Sequence, residues 1–170
     1  RLVGVDSTSQ HPQSLRALPS IGYQRQLAAE GMLTLRPDVL IGSEEMGPPP
    51  VLAQLRGAGV RVEMLSAKAD LASLQASLQR IGTLLGEPQH ADQAFAAYQQ
   101  RLQLQADWLV TAQRQQAAPG VLLLLGHAGG SPMAGGKDTS ADWLIERAGG
   151  RNLASHSGYK ALSTEALLAL

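Results

Sequence analysis

The 170-residue chain contains no cysteine, one phenylalanine and 4% aromatic residues, and its fourteen basic side chains are balanced by fourteen acidic ones. Without cysteine there is no disulfide, no thiolate nucleophile and no thiolate metal site, a composition compatible with an oxidising compartment. A formal net charge of zero provides no long-range field to draw in nucleic acid or an anionic membrane surface, so neither is expected as the main partner. No apolar run is long enough to span a bilayer, and Arg1 opens no leader with a charged and then an apolar region. The expectation is a soluble chain, not inserted in a membrane, and either cytosolic or already processed. With 44% hydrophobic residues it can bury a core, as one large domain or two small ones.

What is present is a motif stated twice. Gly22-Tyr23, then Leu27, Glu30, Leu33 and Leu35, recurs as Gly158-Tyr159, then Leu162, Glu165, Leu168 and Leu170, with one residue deleted after the tyrosine. Such duplication builds paired lobes. The first copy continues into Arg36-Pro37-Asp38 and the apolar Val39-Leu40-Ile41, whereas the second stops at Leu170. Leu2-Val3-Gly4-Val5 reads as a buried strand without a lead-in. The first strand of the first lobe, and much of the second lobe, are therefore expected to be truncated.

Between the copies the pattern alternates β and α. Arg25 to Leu35 reads as a short helix ended by Pro37, Val39–Ile41 as a strand, and Pro48-Pro49-Pro50 as the start of a helix with Leu52 and Leu55 on one face. Val60–Leu65 reads as a strand, and Leu71, Leu74, Leu78, Ile81 and Leu85 as an amphipathic helix ended by Gly86. After Pro88, up to about Gln116, neither glycine nor proline occurs, and a sparse apolar stripe runs among glutamines. At ~1.5 Å per residue this helix spans on the order of 40 Å, which suits a strut joining two lobes. Val121–Leu125 then reads as a strand of a parallel sheet covered on both faces, Gly126–Gly136 as a glycine-rich loop, and Trp143, Leu144 and Ala148 as part of a helix closed by Gly149-Gly150. The expected organisation is an α/β lobe over residues 1–86, a connecting helix over 87–117 and the start of a second α/β lobe over 118–170.

The glycine-rich loop does not make a phosphate cradle. Gly135-Gly136-Lys137 resembles the end of one, but Ser131 stands where the leading glycine is required and Asp138 where Ser or Thr should hold magnesium. No G-x-G-x-x-G follows a strand, so a nucleotide-dependent enzyme lacks its main requirement. The histidines His11, His90, His127 and His156 show no local metal-ligand spacing. Tyr23 sits after a glycine at the entrance to a helix, with Arg25 two residues on. It is either a core tyrosine with a bonded hydroxyl or a phenolate ligand, a hard anionic donor suited to ferric iron, with Arg25 to stabilise the anion.

The run Gly22-Tyr23-Gln24-Arg25-Gln26-Leu27-Ala28-Ala29-Glu30-Gly31, followed by Leu35-Arg36-Pro37-Asp38-Val39-Leu40-Ile41-Gly42-Ser43-Glu44, resembles the haem-binding periplasmic proteins of bacterial haem-uptake ABC transporters. The likeness extends over Val3-Gly4-Val5-Asp6-Ser7-Thr8, the long helix and Gly158-Tyr159. It implies two Rossmann-like lobes joined by one long helix, and a carrier, not an enzyme, that delivers ferric haem in the periplasm to the two-fold permease of an ABC transporter. It also implies that Tyr23 is the axial ligand of the haem iron in an interlobe cleft, and that Arg25 hydrogen-bonds the phenolate oxygen. The wider family of siderophore and cobalamin binders is the alternative. Within this framework His127, directly after a strand, is either a satisfied loop histidine or a cleft-facing residue near haem. Met46 and Met133 are candidate apolar contacts to a porphyrin. Glu30 and Glu165, equivalent in the two copies, are expected to dock onto permease arginines. Tyr159 is expected to be structural or a cleft-lining echo of Tyr23, and Lys68 and Lys137 to be surface charges or partners of haem propionates.

Overall fold

A computed structural model describes residues 1–114, 116–126 and 131–168 of the chain, which is mixed α/β and divides into two compact units, Arg1–Ala67 and Lys68–Leu170. In the first unit, α1 (Ala29–Thr34) precedes β1 (Val39–Ser43), α2 (Pro49–Gly57) and β2 (Arg61–Leu65). The strands pair in parallel, from Val39 opposite Arg61 to Ser43 opposite Leu65. Prolines start α2 where the helix has no use for their missing N–H groups, and Leu52 and Leu55, three residues apart, are buried beneath it. With Leu27, Ala29, Met32, Met46 and Val60 they form the core, against which Ile21, Leu33, Leu40, Val51 and Val62 pack.

Two expectations for this unit need correction. Helix α1 begins at Ala29, not at Arg25, because the backbone of residues 22–27 bonds elsewhere: the Gln26 N–H closes a turn on the Tyr23 carbonyl at 2.8 Å, and the Leu27 N–H donates to the Gly47 carbonyl at 2.9 Å. The opening segment is not a buried strand. Val5 alone forms a parallel bridge with Ser20, and Leu2 is exposed.

In the second unit, α3 (Leu71–Leu85) is capped by the Asp70 carboxylate, which accepts the Ser73 N–H at 2.7 Å, and ends at Gly86 in the left-handed conformation. The turn returns the chain as α4 (Pro88–Gln113), antiparallel to α3, with Gly82 against Ala91 and Gln79 bonded to Asp92 one turn further. This packing groups α3 with α4, and the compact units divide at Ala67/Lys68. The 26 residues of α4 extend about 39 Å at ~1.5 Å per residue. Ala91 and Phe95 are its buried positions, while Leu104, Trp108 and Val110 are exposed.

The apolar run from Val121 does not form one strand of a parallel sheet. It divides into β3 (Gly120–Val121), parallel to β6 (Arg151–Asn152), and β4 (Leu124–Leu125), antiparallel to β5 (Met133–Gly135), which pairs in turn with β7 (Tyr159–Ala161). Hydrogen bonding switches partner within the run: Val121 accepts from Leu153 and Leu123 accepts from Gly135. Part of the expected glycine-rich loop is thus strand β5. Its glycines serve packing, since a Cβ at Gly135 would lie 2.3 Å from that of Ala141 and one at Gly136 would lie 2.0 Å from the His156 carbonyl oxygen. Helix α5 (Ser140–Arg147), capped by Thr139, buries Ala141 and Ile145 and is followed by Gly149, and α6 (Thr164–Leu168) carries Glu165 and Leu168 of the second copy of the repeat.

Candidate functional site

Loops at the carboxyl ends of parallel strands are where open α/β sheets bind ligands, because several loops and free backbone groups converge there. In the first unit that edge is defined by Ser43 at the end of β1 and Leu65 at the end of β2. The loop leaving β1 carries Glu44, Glu45, Met46 and Gly47, and the Tyr23 loop is fastened directly onto it. The Gly47 N–H donates to the Gln24 carbonyl at 2.9 Å, the Gly47 carbonyl accepts from Leu27, and the Ser43 hydroxyl donates to the Gln24 side-chain oxygen at 3.3 Å. A third segment joins behind: the Ser7 N–H donates to the Gly22 carbonyl at 2.8 Å, and Asp6 holds its own turn together by accepting from Thr8 and Ser9. Partial burial on its own would raise the Asp6 carboxyl, but the hydroxyls and N–H groups of Ser9 and Thr8 outweigh it and hold the group below its usual value.

On this platform Gly22 has φ +88°, a conformation that side chains rarely adopt, and Tyr23 projects with 42% of its surface exposed. The fully buried tyrosine allowed by the sequence is therefore not what the fold contains. Arg25 does not bond the Tyr23 phenol here; its Nη2 forms an ion pair with the Glu45 carboxylate, both side chains being about half exposed. Glu44 faces the other way, donating its N–H to the Leu65 carbonyl at 2.8 Å and accepting the Ala67 N–H at 3.0 Å. Met46 is 5% exposed and its sulfur fills the space over Gly42, so it supports the loop from the core. Glu45 is the site residue that the sequence did not single out. Its partner lies 20 residues away, and only the backbone bonds between the loops bring the two together.

The second copy of the repeat shares local geometry with the first. Gly158 has φ +77°, and Glu30 and Glu165 are each the second residue of a short helix, both exposed. At Glu165 hydrogen bonds from its own N–H and the Ser163 hydroxyl outweigh a smaller burial effect and lower the carboxyl below its usual value. Tyr159 lies in β7, paired with Gly135, and its hydroxyl is 3.0 Å from that of Ser140. Met133 is half-buried in β5, and Lys68 and Lys137 are exposed. His127 lies outside the described residues. Among the described residues no group of three or more His, Asp or Glu could hold a metal ion, and no helix is long and apolar enough to cross a membrane.

Residues 1–170 match the family described as periplasmic binding protein over their whole length. A periplasmic haem-binding protein from Pseudomonas aeruginosa superposes with a TM-score of 0.96 at 64% identity, over 99% of this chain and 60% of that one. The periplasmic haem-binding protein HutB of Vibrio cholerae gives 0.85 at 39% identity, over 99% and 64%. A vitamin B12-binding protein of Pectobacterium atrosepticum is 28% identical over 102 residues, 60% of this chain and 36% of the relative. The chain thus spans less than two thirds of the length of each. On this match, and with the parallel β1–α2–β2 unit bearing its loops at the strand ends, the chain belongs to the periplasmic binding protein family.

Proposed function

We propose that this chain carries the iron-ligating loop of a periplasmic carrier that takes up ferric haem and hands it to an ABC permease in the inner membrane. The observation that carries the reading is Tyr23: a half-exposed phenol on a loop pinned to the carboxyl end of β1. A phenolate is a hard donor matched to ferric iron, and Arg25 two residues away can lower its proton affinity. The 64% identity to a haem-binding protein of the same fold supports the choice of cargo. In this reading haem is cargo, and Tyr23 holds its iron. His127, Met133 and Tyr159 are proposed as accessory contacts to the cargo, with Lys68 and Lys137 as partners for propionates. Met46 acts beneath the loop.

Cobalamin is the second reading, favoured by the relatives that bind vitamin B12. Titrating the complete protein with hemin and separately with cyanocobalamin distinguishes them. Hemin is expected to bind and to give the charge-transfer absorption of a high-spin ferric phenolate. Tyr23→Ala should remove that band and weaken binding by more than the ~10- to 100-fold typical of losing a residue that only orients a ligand. An unchanged spectrum would sink the assignment.

A further inference from the structure

The geometry points to Ser43, at the end of β1, as a positioning residue for Tyr23 that acts through the side chain of Gln24, an inference that rests on the proposed role of Tyr23. Around Tyr23 three successive carbonyls are held by backbone donors: that of Gly22 by the Ser7 N–H at 2.8 Å, that of Tyr23 by the Gln26 N–H at 2.8 Å, and that of Gln24 by the Gly47 N–H at 2.9 Å. These bonds set the path of the loop. Residue identity enters through two side-chain links to the loop leaving β1, and the two differ in kind. The Arg25–Glu45 ion pair is about half exposed on both sides, where water competes for it and such a pair contributes little. The Ser43–Gln24 hydrogen bond joins two half-buried residues, so its partners have less water to turn to.

Ser43 is itself fixed by the strand, where it lies opposite Leu65 in the parallel ladder. Its hydroxyl donates to the Gln24 Oε1 at 3.3 Å and accepts the Glu45 N–H at 3.3 Å, so one oxygen ties the neighbour of Tyr23 to the strand and to the loop that follows it. Alanine or valine offers neither bond, whereas threonine can offer both. Without the hydroxyl, the Gln24 side chain loses its donor and turns toward water, and the peptide that joins it to Tyr23 is held by the Gly47 N–H alone. The phenol then meets the iron with a looser orientation. The backbone bonds keep the loop in place, so cargo still binds, but less firmly; partners that orient a ligand act in this way.

The test compares Ser43→Thr with Ser43→Val in the complete protein, because both side chains are β-branched and suit a strand, and they differ in the hydroxyl. With hemin bound, Ser43→Thr should keep the parental charge-transfer band. Ser43→Val should shift or broaden it and release hemin faster, by a few-fold and no more than about tenfold, the scale of one neutral hydrogen bond. In the hemin-free protein the Gly47 N–H should exchange with solvent faster in Ser43→Val than in Ser43→Thr. Gln24→Met removes the acceptor at similar length; it should reproduce the valine effect, and adding Ser43→Val to it should change little more. Matching behaviour of the threonine and valine variants overturns the proposal. A full Ser43→Val effect in the Gln24→Met background overturns it as well, since the hydroxyl would then act through the Glu45 N–H. In either case a parental band that disappears on Tyr23→Ala leaves the ligand assignment standing. A parent that does not bind hemin, or a spectrum indifferent to Tyr23→Ala, removes both.

Discussion

Tyr23 and Tyr159 each follow a glycine with a left-handed backbone, yet they lead into different structures. After Tyr23 the chain turns, the Gln26 N–H returning to the Tyr23 carbonyl; after Tyr159, where the repeat is one residue shorter, it continues as strand β7. The deletion coincides with the difference between a projecting phenol and one hydrogen-bonded to Ser140. Asp6 supports the first arrangement from behind, and its titration gives a prediction. Its carboxyl lies below the usual value in the fold, so its contribution is complete above the unfolded aspartate value and is lost as pH falls through the folded one. Asp6→Asn is expected to lower stability at neutral pH, and the deficit relative to the parent should shrink below about pH 4. Urea midpoints from pH 7 down to 2.5 measure it. A deficit that grows on acidification would contradict the hydrogen-bonding account.

Helices whose start and stop signals are local were legible from sequence. The prolines that open α2, Gly86 at the end of α3, and the uninterrupted run of α4 each depend on residues within a few positions. The strands of the second unit were not legible in the same way. Whether Val121–Leu125 stays in one sheet depends on which of Asn152, Met133 or Ala134 comes alongside, and nothing within the run encodes those partners. Contact between elements also reverses a propensity argument at Gly82. In an open helix Gly→Ala gains roughly 0.5–1 kcal/mol. Here the added Cβ would lie 2.6 Å from that of Ala91, 3.0 Å from the Glu87 carbonyl oxygen and 3.1 Å from the Pro88 Cα. Two of these atoms belong to the backbone and cannot swing aside. Gly82→Ala is therefore expected to destabilise the protein by roughly 1–3 kcal/mol, the usual scale of overpacking. Chemical denaturation checks this, and a gain in stability would show that α3 and α4 separate at little cost.

For the whole molecule, the sequence made the α/β class and the duplicated motif visible because both repeat at fixed spacing. It left the ion pair at the candidate site out of view, because Arg25 and Glu45 meet only through tertiary bonds between loops. The repeat also supplies the test that separates a carrier from any other protein that binds haem. Glu30 and Glu165 are exposed in equivalent places, each at the second position of a short helix, and neither lies in the Tyr23 loop. If the proposed partner is a two-fold permease, a cationic patch on it would be presented twice, and one acidic contact in each half of the repeat would match that symmetry. Reversing either charge is expected to leave hemin affinity unchanged while slowing delivery to the reconstituted permease. The double reversal should slow it further. Exposed charges act mainly by steering association, and the defect should shrink as salt rises past ~0.1 M, where the screening length falls to ~10 Å. The measurement needs the complete protein and a permease in vesicles, with haem transfer followed at low and high salt. Delivery by the double variant at the parental rate in low salt would mean that these glutamates are helix residues kept from an ancestral duplication, with no part in docking.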